Sequence, residues 1–168
     1  MPDIVTTFDV AIDYRMSLEQ MVVATDCTHL DRAITSTLFF VEDSRETVRF
    51  QLGLFHFNSY LPTWRAVEQI RFHEACGGWK PAMIEHLLCF GKQRPKEQLK
   101  HPINALGSVS RHRGRHAVPC LETFNSSRAL FLDVCRWERG WEPHYRFLAY
   151  RPKKSFLSRL LRLKARVS

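Results

Sequence analysis

The chain has 168 residues, is 45% hydrophobic and 12% aromatic, and carries 25 Lys/Arg against 17 Asp/Glu for a net charge of +8. That composition excludes a disordered or low-complexity chain, and the length favours one domain able to bury about 70% of its unfolded surface. No run approaches the roughly eighteen apolar residues a membrane-spanning helix requires, and the Met-Pro-Asp opening lacks the charged and apolar regions of a secretory leader. Five cysteines, at positions 27, 76, 89, 120 and 135, show no pairing pattern. A reduced, cytoplasmic protein is the expectation that follows.

In chain order, Ile4, Thr6, Phe8, Val10, Ile12 and Tyr14 alternate with polar or small residues, the period of a half-buried strand. Ser17 and Gln20 form a capping box ahead of a short helix with Leu18, Met21 and Val22 inward. Residues 26–37 sustain no period. Residues 39–41 and 48–57 read as two strands joined by a polar turn, with Val48, Phe50, Leu52 and Leu54 on one face. Thr63 then caps a helix that begins at Trp64 and ends at Gly77-Gly78. Pro81 suits the first turn of a second helix, with Met83, Ile84, Leu87 and Leu88 as its apolar stripe and Gly91 at its end.

After a basic connector, residues 103–110, 117–122, 129–137 and 144–150 read as four strands of an antiparallel meander. The expected fold is α+β: an antiparallel sheet with N-terminal strands, a central helical pair and a C-terminal β-meander. Residues 1–151 form the expected domain, and residues 152–168 a basic amphipathic tail.

The runs GGWKPAMIEHLLCFG, HPINALGS, AVPCL and HYRFLAYR, preceded by VRFQLGLFHFN, stand in a recognisable order. As a set they resemble segments of an uncharacterised group of small bacterial proteins, over about residues 8–151. The resemblance implies no activity, and the basic tail lies outside it.

The charge is unevenly placed. Residues 151–168 hold seven Lys/Arg and no acid, which accounts for nearly the whole net charge. On a helix, Phe156, Leu160, Leu163 and Val167 share one stripe and Arg159, Arg162 and Arg166 an adjacent one. Three roles suit such a segment: a helix docked on the body, an anchor on an anionic membrane surface or protein partner, or a phosphate-binding arm using Lys153, Lys154, Arg159, Arg162, Lys164 and Arg166. A second cluster favours the last. Residues 92–116 carry seven Lys/Arg against one acid, and Arg111, Arg113 and Arg115 fall at the tip of the first hairpin, where Gly114 makes the turn. The alternative there is a solvated tip that keeps the hairpin from aggregating.

Arg136 and Arg139 interleave with Trp137 and Trp141, a pattern suited to stacking unpaired bases. The competing reading is a cross-strand Trp137–Trp141 pair beside a Glu-Arg-Gly turn.

Two His-x-x-Cys pairs, His73 with Cys76 and His86 with Cys89, offer imidazole and thiolate for zinc, although the spacing matches no strong zinc module. On the second helix His86 and Cys89 are expected on the polar side. His56 reads as a hydrogen-bonded core histidine.

Catalytic signatures are lacking: the chain has neither Gly-x-Ser-x-Gly, nor a phosphate-cradling glycine loop, nor His-Glu-x-x-His. Asp9 and Asp13 share a strand face but stand about 13 Å apart, beyond the reach of a carboxylate pair. The sequence thus points to a non-enzymatic, polyanion-interacting module without cofactor or evident small-molecule substrate. Nucleic-acid backbone is the favoured partner, membrane or protein docking through the tail the runner-up, and a zinc-stabilised module third.

Overall fold

The structure, a computed structural model, describes residues 3–42, 44–73, 78–134 and 136–153. Within them, nine strands form one mixed sheet: β1 (Asp3–Asp13), β2 (His29–Leu30), β3 (Thr47–His56), β4 (Lys80–Pro81), β5 (Ile103–Asn104), β6 (Ser110–His112), β7 (Arg115–Phe124), β8 (Ser127–Asp133) and β9 (Arg146–Pro152). Four helices accompany them: α1 (Leu18–Ala24), α2 (Thr63–Arg71), α3 (Ile84–Gln93) and α4 (Arg136–Arg139). The strand order is β1-β3-β9-β5-β7-β8-β2, with β4 added against β9 and β6 against β7.

The N-terminal alternation forms the strand it predicts, except that Thr6, expected inward, is exposed beside a register shift between Ile4 and Thr6. Phe8, Val10, Ile12 and Tyr14 are buried while Thr7, Asp9 and Ala11 face out. On β3, Phe50, Leu52 and Leu54 join the same core, and Phe55 fills the opposite face. The capping box at Ser17 is present in full: its Oγ accepts from the Gln20 N–H and the Gln20 side chain accepts from the Ser17 N–H.

Helices cover both faces of the sheet. Leu18, Met21 and Val22 of α1 and Ile84, Leu87 and Leu88 of α3 pack against Phe8, Val10, Leu52, Leu121 and Leu148. On the other face Ala66 and Ile70 of α2 meet Phe55, Phe57, Phe147 and Trp141, with Trp137 of α4 alongside.

The sheet is not purely antiparallel, which corrects the expected architecture. β5 runs parallel to β9, and β2 parallel to β8. Only β6, β7 and β8 make consecutive hairpins. β9 does not continue them; it crosses to the middle and pairs antiparallel with β3 along its whole length. Its run Phe147-Leu148-Ala149 is buried on both faces, so only a central position removes it from water.

Further expectations fail locally. Residues 39–41 form no strand, since Phe39 N–H closes a turn onto Thr35 O. The strand expected over 103–110 is broken because Ser108 Oγ accepts from the Ile84 N–H, 2.7 Å, and Gly107 N–H donates to Ala82 O, 2.9 Å, so this stretch serves the start of α3 instead. Pro81 belongs to β4 rather than to the helix, and Gly91 lies inside α3, where a Cβ would strike Leu121. Thr63 is the first residue of α2, not its cap: Pro62 holds that position, and the helix ends at Arg71.

Candidate nucleic-acid interface

The expected hairpin tip exists and is tight. Ser110 pairs with Ala117, Arg111 with His116 and His112 with Arg115, which leaves Arg113 and Gly114 as a two-residue turn. Both central residues have positive φ, 50° and 78°, the requirement of the primed turn whose twist matches flanking strands. Glycine meets it freely, whereas Arg113 takes up a conformation few L-residues adopt. The side chains of Arg111, Arg113 and Arg115 are exposed.

Beside the tip lies an open groove of about 550 Å³. His112, Arg113 and Arg115 line it from the hairpin and Asp31, Arg32 and Ala33 from the segment after β2, with Leu132 and Val134 also in the wall. Arg32 arrives there because β2 pairs with β8 and the chain turns at once: Asp31 N–H donates to Leu130 O, and Asp31 Oδ1 accepts from Ala33 N–H, 2.9 Å. Nothing in the sequence around Arg32 signals this; a two-residue parallel strand has no periodicity to read.

Register also decides where the chain leaves the sheet. Leu121 of β7, Ile103 of β5 and Arg146 of β9 lie in one row. β7 runs opposite to β9, so going back along β7 to Arg115 and forward along β9 to Lys153 leads to the same end of the sheet. Lys80, paired with Tyr150, and Arg49, whose carbonyl accepts from Lys153 N–H, stand there too. β9 runs through Pro152, one residue past the expected boundary.

The other expected contact residues divide. Arg136 donates to Glu142 Oε1, 3.1 Å, and lies over the Tyr145 ring, 5.3 Å to its centroid. Arg139 is exposed on α4. Arg115 reaches Glu138 at 3.5 Å and Lys153 reaches Asp9 at 2.6 Å, exposed pairs of the kind that contribute about 0–1 kcal/mol and yield readily to a stronger anion. Lys154, Arg159, Arg162, Lys164 and Arg166, with the expected amphipathic stripe, lie outside the described residues.

The aromatic stretch does not form the cross-strand Trp137–Trp141 pair of the competing reading. β8 stops at Asp133, whose Oδ1 accepts from Arg136 N–H, 3.0 Å, and residues 136–139 turn into α4. Trp141 is 1% exposed and donates its Nε1–H to Thr63 Oγ1, 2.9 Å; Thr63 donates in turn to Trp137 O, 2.9 Å. Trp141 is therefore closed to a base, and Trp137, half-buried, is the open aromatic of the pair. It forms one wall of a second groove, of about 690 Å³, which sequence reasoning missed because its residues come from five separate segments.

Among the described residues the zinc geometry is not assembled. His86 is in the core at 2% exposure, not on a polar face, stacked on Tyr150 with ring centroids 3.9 Å apart. Its Nδ1 accepts from Met83 N–H, 3.2 Å, and burial lowers its pKa to about 3, so the imidazole is neutral. Cys89 sits one turn on, its thiol pushed up to about 11 by burial and in contact with Ala11 O and Gln93. Cys76 is outside the described residues, and His73 packs edge-on against Phe55. Among the described residues no three His, Cys, Asp or Glu side chains are grouped to hold a metal ion, and no helix is long and apolar enough to cross a membrane. His56 is hydrogen-bonded as expected, through Nε2 to Pro143 O at 3.0 Å, but it is half-buried rather than in the core. No family model, curated protein or solved structure matches this chain.

Proposed function

We propose that the chain binds nucleic acid through its phosphate backbone, using the end of the sheet that carries the arginine hairpin and from which residues 154–168 depart. The observation that supports this most is the groove in which Arg32, Arg113, Arg115 and His112 meet. Three arginines lining one open channel, with Asp31 as the acid among its described lining residues, suit a chain of phosphates, because each planar fork matches a phosphate's oxygens. Arg32 comes from a segment with no basic pattern, and its place in the lining supports reading the tip as part of a channel. Contacts of this kind position a strand without reading its sequence.

The test is fluorescence anisotropy of a mixed-sequence single-stranded RNA at about 50 and 200 mM salt, the interval in which counterion release is largest. The full chain should bind at the lower salt and lose at least about tenfold in affinity at the higher. Arg113→Glu with Arg115→Glu should abolish most of that binding while leaving the urea unfolding midpoint within error of the original. No binding at low salt, or binding indifferent to salt, would remove the proposal; selective binding to anionic vesicles would replace it with a membrane role.

A further inference from the structure

The second groove opens between α2, α4, β4 and the loop that precedes β6. Val67, Leu106, Val109 and Trp137 give it an apolar, aromatic wall, while Arg71 and Lys80 stand exposed among its lining residues. No carboxylate lines it among the described residues, and neither cation has a hydrogen-bond or ion-pair partner among them. A wall that is flat and apolar, together with cations without acids, describes a ligand with an aromatic ring and negative charge.

We propose that an unpaired nucleobase of the bound strand enters this groove against Trp137, with Arg71 and Lys80 meeting the phosphates beside it. The inference rests on the nucleic-acid reading above and makes its ligand single-stranded. The volume is of the size that small ligands fill, within the roughly 300–1,000 Å³ range of such sites. A base within a duplex cannot reach the wall, since its faces are stacked and only phosphates are presented; an unpaired base has a free face for tryptophan. Val109 stands immediately before β6 and His112 at the far end of that strand, so the two grooves are reached from opposite ends of β6, about 10 Å apart, a distance one nucleic-acid strand spans.

Binding of the full chain to three probes separates the possibilities: a single-stranded RNA, an abasic strand of equal length, and a duplex. The base-bearing strand should bind about tenfold more tightly than either of the others, the order of effect that one stacked base produces. Trp137→Ala should erase that preference and leave the salt slope unchanged, while Trp137→Phe restores part of it. Arg71→Gln with Lys80→Gln should reduce the slope of log affinity against log salt by about 1.4, two single-strand phosphate contacts. The abasic comparison needs no variant and so remains decisive if Trp137→Ala fails to fold. Equal binding of base-bearing and abasic strands, with salt sensitivity intact, overturns the inference and leaves the backbone reading standing. Absence of binding to all three probes overturns both.

Discussion

His86 follows Glu85 on α3, and burial moves the two in opposite directions. The imidazole is held at about 3, against an ordinary 6.5, because its surroundings penalise the charged form. Burial of Glu85 likewise favours its neutral form and raises its carboxyl. In the unfolded chain His86 regains its ordinary pKa, so below pH 6.5 unfolding takes up a proton and stability falls, by at most about 1.4 kcal/mol per pH unit, until pH passes the folded value. Glu85 acts with the other sign: its folded state keeps a proton to higher pH, so its contribution grows as pH falls. The two partly cancel, and their separation requires a variant. Chemical denaturation of His86→Gln from pH 7 to pH 4 should show a flatter loss of stability than the original protein; an unchanged slope would mean that His86 is solvated. The adjacency of these residues is plain in the sequence, but their burial is not, because α3 is covered on more sides than its apolar stripe suggests. Glu85, His86, Leu87 and Leu88 are all buried.

At the scale of elements, one residue joins several. Gln98 lies in a 3-10 turn (Glu97–Leu99), 1% exposed, and its Nε2 donates to Glu122 O of β7 at 2.9 Å and Ala129 O of β8 at 3.0 Å. Its Oε1 accepts from Arg128 Nε, 3.2 Å, and that guanidinium donates onward to Gly91 O near the end of α3, 2.8 Å, and to Asp26 O after α1, 3.2 Å. A cation at a helix C-terminus is favoured by the exposed carbonyls there. Gln98→Met keeps the length of the side chain and strands two carbonyls and part of the guanidinium, so it should lower unfolding stability by about 3 kcal/mol in urea titration. Hydrogen exchange should rise first in β7 and β8. A loss below about 0.5 kcal/mol would show that water replaces the amide without cost. In the sequence Gln98 is one polar residue in a basic connector, and nothing sets it apart from its neighbours.

For the whole molecule, the question is whether the hairpin and the tail serve one ligand. They are separated by about forty residues of sequence, yet the sheet's register brings Arg115 and Lys153 to the same end. Two basic regions gripping one strand should contribute additively to the salt dependence. In the full chain, neutralising Lys154, Arg159, Arg162, Lys164 and Arg166 to Gln should lower the slope of log affinity against log salt by up to about 3.5, and Arg113→Gln with Arg115→Gln by about 1.4. The combined variant should lose the sum. If tail neutralisation leaves the slope unchanged, the tail has another role and the hairpin channel acts alone.

What the sequence determined by itself was whatever depends on near neighbours. The alternation of β1, the capping box of α1, the inward face of β3 and the Arg-Gly hairpin tip all follow from patterns a few residues long, and all stand in the structure. Tertiary structure decided the rest, wherever a residue answers to a distant partner. Ser108 breaks its own strand to satisfy the Ile84 N–H, Trp141 is buried because Thr63 accepts its indole proton, and β9 leaves the meander for the centre of the sheet. The candidate interface belongs to this second kind. Its arginines were legible as charge, but Arg32 and the groove at Trp137 arise only when β2 pairs with β8 and when α2, α4 and β4 meet. Local pattern fixes which face of an element is apolar; burial of every such face at once fixes which elements touch, and only contact makes a groove.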